Sequence, residues 1–234
     1  DRGPHGPRSA PGKGTFRRRT GRALGLAGAK DRLPLNVPGQ CKTRDMSISG
    51  DIPPWPAADP EYGRIRLRTF TNLDAEMAMD LSLDPYVPLV GSLPPHATHE
   101  EALAWIERQR QRHIKGTGLS FSIADLESDR SLGNIGLGLG DLDAGRAEVG
   151  YGVAPKERGH GIASDALRAL TRFGWTIPRL HRLELYIETW NAASLRTAER
   201  AGYQREGLLR SYREIAGQHC DMFLYAAIRE EPVR

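Results

Sequence analysis

Arg158, Gly159, His160, Gly161, Ile162 and Ala163 form the run RGHGIA, placed where a short apolar strand reaching Val153 gives way to a helix-forming segment. A junction of that kind presents several backbone N–H groups without helical partners, at the positive end of the helix dipole. Those donors suit a phosphate or pyrophosphate. Gly159 and Gly161 let the main chain come close to an anion, and Arg158 adds charge. The run lacks the lysine–serine pair of a phosphate-binding loop and the spacing of the dinucleotide-binding fingerprint, so neither of those classes applies. A glycine-containing helix start that holds no ligand has the same local sequence, and these residues alone leave both readings open.

The elements that must position this junction are legible from periodicity. Ile65, Leu67 and Thr69 alternate with arginines as in a half-exposed strand, and TNLDAEMAMDLSLD follows as a short helix capped near Thr71 or Asn72. Thr98 and Glu101 have capping-box spacing at the head of a helix whose apolar side carries Leu103, Trp105 and Ile106. LSFSIADLES, SLGNIGLGLG and DLDAGRAEVGYGVAP predict a three-strand antiparallel meander, its glycine-rich middle strand implying close backbone packing or curvature. Ile162, Ala166, Leu170 and Phe173 mark one face of the helix after the junction. Leu183, Leu185 and Ile187 predict a further strand. AASLRTAERAG predicts a second helix closed by Gly202, and HCDMFLYAAI a last strand. Strands that precede and surround two well-formed helices indicate a mixed sheet with helices, not a bundle or a sandwich.

The formal charge of +4 is unevenly spread: residues 1–45 hold eleven Lys or Arg against three Asp or Glu, leaving a mildly acidic body. That distribution argues against a phosphate-tracking groove, so no nucleic-acid partner is expected of the folded part. Residues 1–60 are expected to be a basic, Gly/Pro/Arg-rich flexible extension and linker ending in DIPPWPAADP; Met46 is a position from which a chain would still contain every periodic element. Cys41 and Cys220 lie far apart and outside any zinc-like cluster, and the histidines form no ligand set, so free thiols and no metal are expected. No long apolar segment or signal-peptide core is present, which points to a cytoplasmic protein without a membrane partner.

From about Arg64 to Ile228, the runs AEVGYGVAPKERGHGIASDALRAL, RLELYIETWNAASLRTAERAGYQREGLLR and DMFLYAA resemble the GNAT acetyltransferase superfamily, particularly the branch that acetylates ribosomal-protein amino termini. The resemblance implies an α/β fold: a mixed, mainly antiparallel sheet flanked by helices, with splayed central strands forming an acetyl-CoA cleft, in a single N-acetyltransferase domain over residues 61–230. It assigns Val153 to backbone contacts with pantetheine and residues Arg158, Gly159, His160, Gly161, Ile162 and Ala163 to the pyrophosphate. Asn191 and Ser194, in NAAS, match positions near the pantetheine arm and the thioester.

Direct attack by an amine on acetyl-CoA needs a neutral nitrogen, a route for its proton and a departing thiolate. Glu148 stands where related enzymes place an acid and is the expected base. Relatives often carry a tyrosine where this chain has Ala198, so Ser194 is the remaining candidate proton donor; Tyr203 is expected to pack at a strand start. Some amino-terminal acetylating relatives have an acid where this chain has Arg213, beside Glu214, and Arg213 would favour a carboxylate-bearing acceptor or form a surface ion pair. The expected function is transfer to a primary amine, first a protein or peptide amino terminus. A small-amine acetyltransferase and a catalytically weak acyl-CoA-binding regulatory module are the alternatives, and the chain is expected to be a monomer or homodimer.

Overall fold

The computed structural model describes residues 53–230. In chain order the elements are β1 (Glu61–Tyr62), β2 (Ile65–Arg68), α1 (Ala75–Ser82), α2 (Val87–Val90), α3 (His99–Ile114), β3 (Gly118–Asp125), β4 (Ser131–Gly138), β5 (Arg146–Val153), α4 (Ile162–Gly174), β6 (Arg182–Glu188), α5 (Ala192–Arg200), β7 (Gln204–Ile215) and β8 (Gln218–Ile228). The eight strands form one sheet in the order β1-β2-β3-β4-β5-β6-β8-β7. Every neighbouring pair is antiparallel except β5 and β6.

The meander β3-β4-β5 forms as its alternation predicts, and its glycines have a spatial reason. A Cβ on Gly133 would run into the carbonyl of Gly152 on the neighbouring strand, so only glycine lets the two backbones approach there. The αL residue Gly145 (φ 73°) turns the chain from β4 into β5.

Two apolar clusters sandwich the sheet. On one face α4 buries Ile162, Ala166, Leu170 and Phe173, the stripe expected from the sequence, against Phe121, Ile135, Val149 and Leu185. On the other, α1 and α3 enclose Phe70, Leu81, Trp105 and Ile106. Trp105 is buried with its ring edge-on to Phe70, as a core or pocket-wall residue. The ordered body starts ahead of residue 61, because Trp55 packs 4.6 Å from Phe121 and the Pro53 carbonyl lies 3.0 Å from His113 Nε2. The remainder of the expected extension, with Cys41, lies outside the described residues. None of the described helices is long and apolar enough to cross a membrane.

Helix α3 begins with the expected capping box: the Glu101 N–H donates to Thr98 Oγ1 at 3.3 Å and the Thr98 N–H to Glu101 Oε2 at 2.8 Å. Replacing Thr98 by Ala removes one of those partners and is expected to destabilise the protein by about 1 kcal/mol, measured as a shifted denaturant midpoint at constant slope. The 3-10 turn Asn72–Asp74 that leads into α1 is held in a related way, the Thr71 N–H donating to Asp74 Oδ2 at 2.9 Å.

Candidate active site

Strands β5 and β6 define the site by parting. They pair over three positions only, Arg146↔Arg182, Ala147↔Leu183 and Glu148↔Glu184. Beyond them β5 stays with β4 as far as Val153↔Gly133, while β6 stays with β8 as far as Glu188↔Met222. Each strand is therefore held by its outer neighbour while the inner edges separate. The Ala154 N–H bonds to the Leu132 carbonyl on the β4 side, so the backbone groups of Tyr151 and Val153 face the gap. A cleft of ≈ 1180 Å³ opens there, bounded by β5, β6, α5, the β5–α4 loop and the α1–α2 segment.

The RGHGIA run lies at the mouth of that gap. Gly159 (φ 86°) and Gly161 (φ 79°) both adopt left-handed backbone, and Gly161 is the N-cap of α4. An added Cβ at either glycine would meet nothing within 4 Å. The helical ladder starts at the Asp165 N–H, which donates to the Gly161 carbonyl at 3.1 Å. Among the described residues, the N–H groups of Gly159 to Ser164 take no protein acceptor, so Gly161, Ile162 and Ala163 present main-chain donors at a helix start. Arg196 and Arg200 of α5 line the same cleft.

Arg158 and His160 also make contacts within the protein. Arg158 donates from Nε to the Val153 carbonyl at 3.0 Å and pairs through Nη1 with Asp84 at 2.6 Å, so its guanidinium braces the loop against the α1–α2 segment. His160 is exposed and packs its Nδ1 3.3 Å from the Glu157 carbonyl. Burial raises the Asp84 carboxyl, but the Arg158 pair and the Tyr86 and Val87 N–H groups outweigh it and hold the group below its ordinary range. A lowered folded pKa gives stability that is complete above the unfolded value near 4 and is lost as pH falls through the folded one. The melting-temperature difference between wild type and Asp84→Asn is therefore expected to be full above about pH 5 and to shrink steadily below about pH 4.

Glu148, within β5, is the last residue of that strand paired to β6, at the closed end of the gap. Its carboxylate is half exposed and accepts from Arg213 Nη2 of β7 at 2.8 Å. Arg112 of α3 also lines the cleft; burial lowers its guanidinium and the Glu148 charge opposes that. Arg213 thus forms an ion pair inside the cleft, whereas Glu214, one position on, does not line it. Asn191 caps α5, accepting from the Ser194 N–H at 3.1 Å, and both residues line the cleft. Ala198 is fully buried, while the phenol of Tyr151 reaches α5 from β5, its hydroxyl 3.5 Å from the Ser194 carbonyl. Tyr203 packs at the start of β7 with its hydroxyl 2.9 Å from Thr171 Oγ1, as expected.

Residues 64–204 match the model of the acetyltransferase (GNAT) domain. The chain belongs to the GNAT acetyltransferase family. It is 30% identical over 168 residues to the N-acetyltransferase p20 of Bacillus licheniformis, an alignment covering 72% of this chain and 94% of that one. Among solved structures it is similar to Mycobacterium smegmatis RimJ in complex with CoA-disulfide, at 27% identity and a TM-score of 0.60, over 70% of this chain and 81% of that one. It also shares its fold with the ribosomal-protein-S5-alanine acetyltransferase of Vibrio fischeri, at 18% identity and a TM-score of 0.60, over 74% and 98% of the two chains. The GNAT fold expected from the sequence, with its mainly antiparallel sheet and parted central strands, is the one found.

One GNAT-cleft residue escaped the sequence reading. Glu188, the last residue of β6, is only 5% exposed, and its Oε2 has no hydrogen-bond partner. Tyr86 stands beside it; burial, and then a hydrogen bond to the Glu188 carboxylate, push that phenol up. Trp190, largely exposed, meets Tyr86 edge-to-face at 5.1 Å and lines the cleft. The Cys220 thiol on β8 is raised by burial and by the same carboxylate. A signal for Glu188 existed: Leu183, Leu185 and Ile187 fill one face of β6, so Glu184, Tyr186 and Glu188 must share the other.

Proposed function

We propose that this enzyme transfers the acetyl group of acetyl-CoA to a primary amine, with a protein or peptide amino terminus as the acceptor class. The single observation that carries the transfer is the parting of β5 from β6 over a cradle of free N–H groups. That gap offers an extended amide chain the β5 edge that β6 leaves, where among the described residues only the Val153 carbonyl is engaged, by Arg158, and offers a pyrophosphate the start of α4. The open space beyond Gly159 and Gly161 fits an anion drawn onto the main chain. The ribosomal-protein acetyltransferase names among its structural neighbours support the amino-terminal acceptor. A free Cys220 thiol suits a reducing, cytoplasmic setting.

The bound thioester supplies an electrophilic carbonyl: the amine's N–C bond forms as the C–S bond breaks, the amine loses a proton, and the thiolate gains one. In this reading Val153 and Tyr151 align the pantetheine arm, and Gly159, Gly161, Ile162 and Ala163 hold the pyrophosphate. Arg158 keeps their loop in place. Glu148 takes the proton from the amine, directly or through water, and Ser194, at the first turn of α5, stands on the thiolate side with Asn191 fixing that turn.

The test is a rate panel of amino-terminal peptides and small amines at saturating acetyl-CoA. Selective turnover of peptides is expected; turnover of small amines alone, with peptides inert, replaces the acceptor class, and no transfer to any amine returns the chain to a binding module.

A further inference from the structure

We propose that Glu188 is the ammonium-binding group of the acceptor arm: its buried carboxylate, walled by Tyr86 and Trp190, receives the protonated primary amine before that amine gives up its proton. The inference rests on the transfer reading above and adds the form in which the acceptor is recognised, as a cation.

Two glutamates on one face of β6 make the comparison. Glu184, also 5% exposed, is satisfied by Arg182 Nε at 2.5 Å and by the Tyr186 hydroxyl at 2.9 Å. Glu188 is equally buried, lines the cleft, and keeps Oε2 without a partner. Among the described residues it has no ion pair, and Arg213 of β7, which lies beyond β8 in the sheet, is engaged by Glu148. The neutral hydroxyl of Tyr86 and thiol of Cys220 are its hydrogen-bonding neighbours, and they leave one buried oxygen and the negative charge without a cation; the ligand that answers both carries positive charge and N–H donors. A primary ammonium supplies both.

The walls fit the same ligand. Tyr86 and Trp190 set their rings at 89° to one another, and aromatic faces attract an ammonium ion. The other titratable or charged groups that face Glu188 are Cys220 from β8 and, through Tyr86, Arg213 from β7; Cys220 carries no positive charge, and the charge of Arg213 is offset by its pair with Glu148. The site therefore favours a single ammonium at Glu188 over a guanidinium-sized group reaching Glu148.

The test measures acceptor KM and kcat for wild type and Glu188→Gln with an alanine-initiated peptide amide and with a short alkylamine. At pH 7 the substitution is expected to raise KM for both about 10- to 100-fold while kcat at saturation changes far less, the loss of one charge-assisted contact. As pH rises past about 8, where an α-amino group becomes neutral, the KM ratio is expected to collapse for the peptide and to persist for the alkylamine, which stays charged to about pH 10.

Calorimetry of CoA-loaded protein with the same alkylamine gives an independent readout. Tighter binding to wild type than to Glu188→Gln supports the proposal, and equal binding overturns it. Equal KM values in a wild type that transfers acetyl groups overturn it and leave the transfer reading standing. A wild type that acetylates nothing removes the transfer reading, and the calorimetric comparison then decides for Glu188 alone.

Discussion

Glu148→Gln is expected to lower turnover about 10²- to 10⁴-fold at saturating substrates while acetyl-CoA affinity and the fold persist. The position explains both halves of that result. Glu148 sits where β5 and β6 stop pairing, so its side chain stands at the closed end of the cleft, where an amine meeting the thioester must shed a proton. It is half exposed and packs on no core cluster, so an amide of the same size leaves the strand undisturbed. The glutamine oxygen still accepts from Arg213, which keeps the guanidinium in place; what disappears is the capacity to take up a proton. Rates across pH with one acceptor decide the matter: unchanged turnover near pH 7 with an unchanged profile excludes Glu148 from the chemical path. The contrast with Glu188→Gln is diagnostic, because a base moves kcat and an ammonium anchor moves KM.

Arg213 gains a defined place from the same geometry. Its guanidinium spans from β7 to β5 and stands 5.6 Å from the Tyr186 ring centroid, itself stacked 5.0 Å from Tyr212. The two sequence readings of Arg213, a selector of acidic acceptors and a surface ion pair, resolve into an ion pair within the cleft with the candidate base.

The fold was legible because its signals are local. The alternation of each meander strand, the apolar stripe of α4, the Thr98–Glu101 box and the αL glycine after α5 are each written in a short contiguous stretch, and each formed. The cradle was legible for the same reason: strand, glycines and helix start are contiguous. The acceptor side is assembled from α2, α3, β5, β6 and β7, and nothing in the chain order announces that Arg213 meets Glu148 sixty-five residues away. Arg158 was read as a charge for the anion, yet its partner Asp84 lies on a segment that no periodicity connects to the loop. Burial of the strand-end Glu188 depends on tertiary packing that sets Tyr86, from the α1–α2 segment, beside it, and no local pattern announces that.

Gly161→Val is expected to raise KM for acetyl-CoA about 10²- to 10³-fold, the loss of roughly two charge-assisted main-chain hydrogen bonds. The protein itself has room for the side chain, since a Cβ at Gly161 meets no atom within 4 Å. That room is the space through which an anion must approach the N–H groups of Gly161, Ile162 and Ala163, and a branched side chain there holds the anion off. The left-handed φ of 79° adds a separate penalty of about 1–2 kcal/mol to folding, visible as a lowered melting temperature. The two effects are separated by the donor. S-acetylpantetheine carries the thioester and the amide chain but no pyrophosphate, so its KM should be the same in wild type and variant. Equal losses with both donors would mean that the substitution damages the cleft as a whole, and no loss with acetyl-CoA would place the pyrophosphate elsewhere than the start of α4.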